Sequence, residues 1–329
     1  MSAARPRVAL TRLLPEPVLG TLRERYEVRL PADGKAMRTE AIRDACYWAD
    51  ALCPTVTDAL DATFFQTLDR SRLRTRLLAN FGVGFNHIDL PAAANLGISV
   101  SNTPGVLTDA TADLTMALIL MCARRAGEGE RALRAGQWRG WQPTALMGRD
   151  VTGARLGIVG MGRIGQAVAV RARFGFSMSV RYFSRTPLPA PRAQALGAVS
   201  VDSLQQLIEN SDFVSLHCPS TAQTRHLINA QTLGYFAPDS YLINTARGDI
   251  VDEAALAQAL QDGRLAGAGL DVYEHEPQVH PGLGESSRAV LLPHLGSATI
   301  QTRRAMAGLV ARNLQAFFDG QPLPNPVAA

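Results

Sequence analysis

Leu156-Gly157-Ile158-Val159-Gly160-Met161-Gly162-Arg163-Ile164-Gly165 carries an apolar strand pattern straight into G-x-G-x-x-G and on into a helical pattern. Gly160 permits a tight turn, Gly162 lets the backbone approach a pyrophosphate, and Gly165 lets helix and strand pack closely, with the phosphates at the positive end of the helix dipole. Arg163 and Ile164, between the second and third glycines, join the glycines as expected cofactor contacts. The glycine spacing alone is weak evidence. A strand over 155–159, a helix over 166–174 and a further strand over 178–183 supply the βαβ setting that it requires.

Ser184-Arg185-Thr186 stand at the end of the second strand, where sites selective for the unphosphorylated nicotinamide dinucleotide carry an acidic residue for the ribose 2′-OH. A carboxylate would repel a 2′-phosphate, whereas two hydroxyls and a guanidinium offer it donors and positive charge. NADP(H) is therefore expected in preference to NAD(H), with NAD(H) still usable.

Outward from this motif the chain alternates between strand and helix patterns. On the N-terminal side, strands are expected at 7–11, 51–54, 77–81 and 98–101, with helices at 17–25, 39–49, 59–68 and 90–96. A long helical stretch, 109–134, follows the turn signal Asn102-Thr103-Pro104-Gly105 and reads as a connector. Beyond the glycines, buried parallel strands are expected at 213–217, 241–244, 268–272 and 290–292, separated by helices such as 203–209 and 253–261. The final helical stretch, 301–318, falls after the last strand and can return to the first unit. Residues 1–102 and 296–329 are thus expected to form one domain and 103–295 the dinucleotide-binding one.

With 329 residues, 47% of them hydrophobic, the chain can bury the cores of two domains. The longest strongly apolar stretch, 114–123, is too short to span a bilayer, and the N-terminus lacks a signal-peptide core, so no membrane association and a cytoplasmic location are expected. Cys46, Cys53, Cys122 and Cys218 show no C-x-x-C spacing, which suits a reducing compartment. A net charge of +4 spread along the chain does not argue for nucleic acid. Lys35, in the loop-like Ala32-Asp33-Gly34-Lys35, is the only lysine, so Schiff-base chemistry is set aside. His275 and His280 flank Glu276 in the manner of metal ligands, but the proline and glycine around them indicate a loop, and no metal is expected.

Three segments at expected strand ends present ionisable residues: Asn244-Thr245-Ala246-Arg247-Gly248, Asp271-Val272-Tyr273-Glu274-His275-Glu276-Pro277 and Pro293-His294-Leu295-Gly296-Ser297. Ligands of open α/β sheets bind beyond the carboxyl ends of the strands, so the three converge on one crevice. There an arginine can clamp a carboxylate, a histidine can exchange a proton, and a glutamate can orient it, which suits hydride transfer to a 2-keto acid.

At this level the chain resembles the D-isomer-specific 2-hydroxyacid dehydrogenase family along nearly its whole length. The resemblance is carried by Asn80-Phe81-Gly82-Val83-Gly84-Phe85-Asn86-His87-Ile88-Asp89, Asn102-Thr103-Pro104-Gly105, the glycine motif, Ala246-Arg247-Gly248-Asp249-Ile250-Val251-Asp252, Gly269-Leu270-Asp271-Val272-Tyr273 with Glu276-Pro277, and Pro293-His294-Leu295-Gly296-Ser297-Ala298-Thr299. It implies two doubly wound parallel-sheet domains, a Rossmann-type nucleotide domain inserted in a flavodoxin-like substrate domain. It implies Arg247, Glu276 and His294 as catalytic, with His294 protonating the carbonyl oxygen and Arg247 binding the carboxylate. Val83 and Gly84 would offer a second carboxylate cradle, and Asp271 would orient the nicotinamide amide. Thr111, Cys218, Pro219, Thr245 and Gly296 would line the cofactor, with Val83 and His294 also reaching it. The segment 136–143 is similar to a stretch of glyoxylate/hydroxypyruvate reductases that crosses a homodimer interface, which would bring Trp141 to the partner's substrate pocket; Trp138 and Trp141 serve equally well as plain interface core.

Within the family, glyoxylate/hydroxypyruvate reductases fit best. Formate dehydrogenases have glutamine at the position of Glu276, and phosphoglycerate dehydrogenases would carry an acidic residue at Ser184. A lactate-like or phosphite dehydrogenase remains open. So does a corepressor-like binding protein that senses nucleotide without turnover, because fold does not settle function.

Overall fold

A computed structural model describes residues 5–32 and 35–328; Asp33 and Gly34, part of the segment expected as a loop before Lys35, lie outside the described residues. The chain folds as two compact units, Met1–Leu107 with Thr299–Ala329, and Thr108–Ala298. The divisions therefore lie a few residues beyond 102 and 295, and Gly296 belongs to the second unit.

In the first unit β1 (Arg7–Leu10), α1 (Val18–Arg25), β2 (Glu27–Arg29), α2 (Thr39–Trp48), β3 (Ala51–Cys53), α3 (Ala62–Gln66), β4 (Leu77–Ala79), α4 (Leu90–Asn95) and β5 (Ser99–Ser101) follow one another. The strands pair in parallel in the order β5-β4-β3-β1-β2, the doubly wound order expected of a flavodoxin-like sheet. Strands β3 and β4 are wholly buried, and β1 is buried after Arg7, which is why each reads as a short apolar run.

The second unit opens with α5 (Thr108–Ala123) and α6 (Ala126–Arg134) in place of one connecting helix. Arg125 takes a left-handed φ of 50° and breaks the stretch. The first half, apolar on most of its circumference, packs on the sheet; the second buries no residue. Then come β6 (Arg155–Val159), α7 (Arg163–Val170) with a π-helical turn at Arg171–Gly175, β7 (Ser179–Phe183), α8 (Ala190–Leu196), β8 (Ala198–Ser200), α9 (Leu204–Glu209), β9 (Phe213–Leu216), α10 (Ala230–Leu233), β10 (Tyr241–Asn244), α11 (Glu253–Gln261), β11 (Gly267–Leu270), α12 (Pro281–Glu285) and β12 (Ala289–Leu291). All seven strands are parallel, in the order β12-β11-β10-β9-β6-β7-β8. The strand order reverses between β6 and β9, so the glycine turn after β6 sits at the topological switch point where Rossmann sheets bind dinucleotides. Apolar clusters cover both faces, one built with α5 and α7, the other with α9, α10 and α11.

The chain returns to the first unit through α13 (Ile300–Phe318), capped by the Thr299 hydroxyl, and ends in β13 (Pro326–Val327), antiparallel to β5. Strands β2, β8 and β13 and helices α8, α10 and α12 were not legible in the sequence, being two to seven residues long. No helix among the described residues is long and apolar enough to cross a membrane.

Candidate active site

At the turn after β6, Gly160 has φ 92°, and a Cβ there would stand 2.6 Å from the Cys218 amide nitrogen. A Cβ at Gly165 would stand 2.3 Å from the Gly160 carbonyl oxygen, so α7 can approach β6 only with glycine at that position. Gly162 differs. A Cβ there meets nothing within 4 Å, and no side chain caps the helix that it opens. The first N–H groups of α7 thus face open space beside a glycine, an arrangement that fits a pyrophosphate. Arg163 is exposed, whereas Ile164 packs into the core. Past the end of β7, Ser184 is half-buried, and Arg185 and Thr186 are exposed.

The three ionisable segments leave neighbouring strands. After β10, Asn244 ties the turn, its Oδ1 accepting from the Ala246 N–H at 3.0 Å and its Nδ2 donating to the Arg247 carbonyl at 2.8 Å. A Cβ on Gly248 would lie 1.8 Å from the Tyr273 carbonyl carbon, so the turns after β10 and β11 touch through backbone alone. Burial pulls the Arg247 guanidinium below its ordinary pKa against the pull of the Glu276 and Asp249 carboxylates; it stays a cation at working pH.

Asp271, the first residue after β11, is buried and accepts from the N–H groups of Leu295 (2.6 Å) and Gly296 (2.8 Å), while its backbone carbonyl takes the His294 N–H at 2.9 Å. Both carboxylate oxygens therefore hold the turn that carries His294, whose φ is 54°. Burial pushes the Asp271 carboxyl up in spite of these two donors.

His294 Nδ1 meets Glu276 Oε2 at 2.8 Å and Oε1 at 3.1 Å. Glu276 Oε1 also accepts from the Tyr273 N–H at 3.2 Å. Burial would raise the Glu276 carboxyl, but His294, the Tyr273 N–H and Arg247 outweigh it and hold the pKa below the ordinary range. With Nδ1 engaged by a carboxylate, the imidazole has Nε2 left for proton exchange.

Several residues expected around a cofactor join one network. Thr111 Oγ1 donates to the Gly296 carbonyl at 3.1 Å, and Thr115 Oγ1 donates to Thr111 O at 2.8 Å and meets Thr245 Oγ1 at 2.9 Å. Cys218 is half-buried with its thiol pushed up to about 11 by burial, so it is not an activated nucleophile; Pro219 beside it is exposed. Two residues of this region were missed. Thr115 links Thr111 to Thr245, and the buried Glu253 accepts from the N–H groups of Glu274 (2.8 Å) and His280 (3.3 Å), anchoring the loop that bears Glu276. A charged residue one position after the α11 cap Asp252 reads as an ordinary first-turn acid, so no sequence signal marked it. His280 Nδ1 accepts from the Gly282 N–H and caps α12.

The remaining expected residues lie elsewhere along the chain. Val83 and Gly84 lie in the first unit, half-buried in the turn after β4. Trp141 is 83% exposed and Trp138 63%, both in the irregular segment between α6 and β6.

Residues 116–296 match the family described as D-isomer specific 2-hydroxyacid dehydrogenase, NAD binding domain. A glyoxylate reductase of Thermococcus litoralis is 43% identical, covering 98% of this chain and 97% of its own. Among solved structures, a Thermus thermophilus protein superposes with a TM-score of 0.88 at 44% identity, covering 98% of this chain and 100% of its own. The NADPH-dependent glyoxylate/hydroxypyruvate reductase of Sinorhizobium meliloti, in complex with NADP and malonate, gives 0.85 at 35% identity over 99% and 97%. The chain therefore belongs to the D-isomer specific 2-hydroxyacid dehydrogenase family and is an NAD(P)-dependent dehydrogenase.

Proposed function

We propose that this protein reduces small 2-keto acids, glyoxylate and hydroxypyruvate foremost, to D-2-hydroxy acids, preferring NADPH to NADH. The observation that carries the reading is the His294 Nδ1–Glu276 pair, beside the cationic Arg247, at the same sheet edge as the glycine turn. The reduced nicotinamide, when bound, supplies a hydride to C2 of the keto acid. Gly160, Gly162 and the first N–H groups of α7 hold its pyrophosphate, Thr111, Cys218, Pro219, Thr245 and Gly296 line it, and Asp271 fixes its amide.

His294 holds the proton at Nε2 and gives it to the carbonyl oxygen as charge develops there; Glu276 keeps the ring oriented and stabilises its cationic form. Arg247 binds the carboxylate, with the Val83 and Gly84 N–H groups as a second cradle. Ser184, Arg185 and Thr186 meet the 2′-phosphate: two of the three are exposed, and Arg185 has no ion pair among the described residues. The exposed Trp138 and Trp141 mark the surface on which a second copy docks, making a homodimer in which Trp141 reaches the partner's substrate. With four free cysteines, three of them buried, we place the enzyme in the reducing cytoplasm.

Initial rates with glyoxylate, hydroxypyruvate, pyruvate and phenylpyruvate against each cofactor test the proposal. Fastest turnover of glyoxylate and hydroxypyruvate with NADPH is expected. Cofactor binding with negligible turnover of all four would replace it with a nucleotide-sensing role.

A further inference from the structure

The turn after β4 is held by its carbonyls. Asn80, fully buried, donates through Nδ2 to the carbonyls of Gly82 (3.1 Å) and Gly84 (3.0 Å), and Asn102 Nδ2 donates to that of Val83 (2.8 Å). The Thr103 N–H adds a second bond to the Gly82 carbonyl at 3.0 Å. In a trans peptide the C=O of one residue and the N–H of the next point to opposite sides of the same plane. Drawing the carbonyls of 82, 83 and 84 inward therefore turns the N–H groups of Val83, Gly84 and Phe85 outward. Those of Val83 and Gly84 take no acceptor among the described residues of this unit. Successive N–H groups presented together form a concavity for an anion.

Asn102 is itself held from the far end of the chain. Its N–H donates to the Asn325 carbonyl at 3.2 Å, just before β13. Asn325 is clamped by Asn313, fully buried on α13: the Asn325 N–H donates to Asn313 Oδ1 at 3.1 Å, and Asn313 Nδ2 donates to Asn325 Oδ1 at 3.2 Å.

We propose that Asn80 and Asn102 are positioning residues for the substrate, aiming the backbone N–H groups of residues 83–85 at the carboxylate of the 2-keto acid, with Asn325 and Asn313 latching that device through the C-terminal segment. The proposal deepens the reading given above and rests on it. Asn80 and Asn102 touch no substrate atom; they act through the peptide planes that they hold. An ordinary loop could satisfy its carbonyls with water. Here three consecutive ones are taken by side-chain amides, which fixes all three planes at once.

The test uses the full chain with Asn102→Ala, a neutral change that adds no charge near an anionic substrate. Losing one oriented carbonyl should raise KM for glyoxylate about five- to tenfold and weaken inhibition by oxalate by the same factor, with the cofactor Kd unchanged. Oxalate with saturating cofactor should slow amide exchange at Val83 and Gly84 in the wild type, and this protection should be reduced in the variant. Asn325→Ala should shift the same quantities in the same direction by less, and carries the test if Asn102→Ala does not fold. If Arg247→Lys raises KM and weakens oxalate while neither asparagine variant moves them, the amide network is structural only and the proposal falls although the keto acid reading stands. If Arg247→Lys also leaves both unchanged, the keto acid reading falls and takes the proposal with it.

Discussion

Gly162→Ala separates a glycine kept for a ligand from glycines kept for the fold. Its backbone, φ −75° and ψ −162°, is open to any residue, and a new Cβ would meet nothing within 4 Å. Replacing glycine by alanine at a helix N-cap costs about 0.5–1 kcal/mol. The stiffer unfolded chain returns about 0.4–1 kcal/mol. The apo protein should therefore keep its stability to within about 0.5 kcal/mol, whereas Gly165→Ala, 2.3 Å from a carbonyl oxygen, should lose about 1–3 kcal/mol to overpacking. Bound cofactor should reverse the ranking of concern. At a concentration a hundredfold above its Kd, NADPH stabilises the wild type by about 2.7 kcal/mol. If the alanine methyl occupies the place of the pyrophosphate and weakens binding a hundredfold, the gain in Gly162→Ala falls to about 0.4 kcal/mol. Denaturant unfolding with and without NADPH reads both quantities. A Gly162→Ala protein that is as stable as wild type and still gains the full stabilisation would refute the placement of the phosphates at this turn.

His294→Ala should lower kcat and kcat/KM together by about a hundredfold or more while cofactor affinity changes little; stopped-flow hydride transfer checks it, and near-normal turnover would remove His294 from the chemistry. Because the Glu276 pKa is depressed in the fold, its stabilising contribution is complete above the ordinary glutamate value of about 4.3 and is lost as pH falls through the folded value. The difference in unfolding free energy between wild type and Glu276→Gln should accordingly be constant near neutrality and shrink toward acid; a difference that grows toward acid would mean the carboxylate is not held ionised. Ser184→Asp with Arg185→Ala should weaken NADPH at least tenfold while NADH stays equal or improves, an effect that shrinks as salt rises; a wild type preferring NADH at low salt would overturn this reading.

The amino-acid sequence by itself determined the second sheet and the glycine turn and singled out Arg247, Glu276 and His294 as candidates for the chemistry. Buried parallel strands read as apolar runs, and a backbone that must approach a phosphate or another backbone admits only glycine, so these features leave a mark in one dimension. It overextended the helix at 109–134, because periodicity carries through a single left-handed residue such as Arg125. Only the tertiary structure decided how these candidate groups are held. Gly248 lets two strand-end turns touch, Asp271 spends both oxygens on the His294 turn, Glu253 anchors the loop of Glu276, and Asn325 reaches back to Asn102. Each of these joins residues 20 or more positions apart through one or two hydrogen bonds or a backbone contact. Such bonds follow no period and need no particular neighbour in sequence, so polar residues that organise a site look like any other surface residue until the chain has folded.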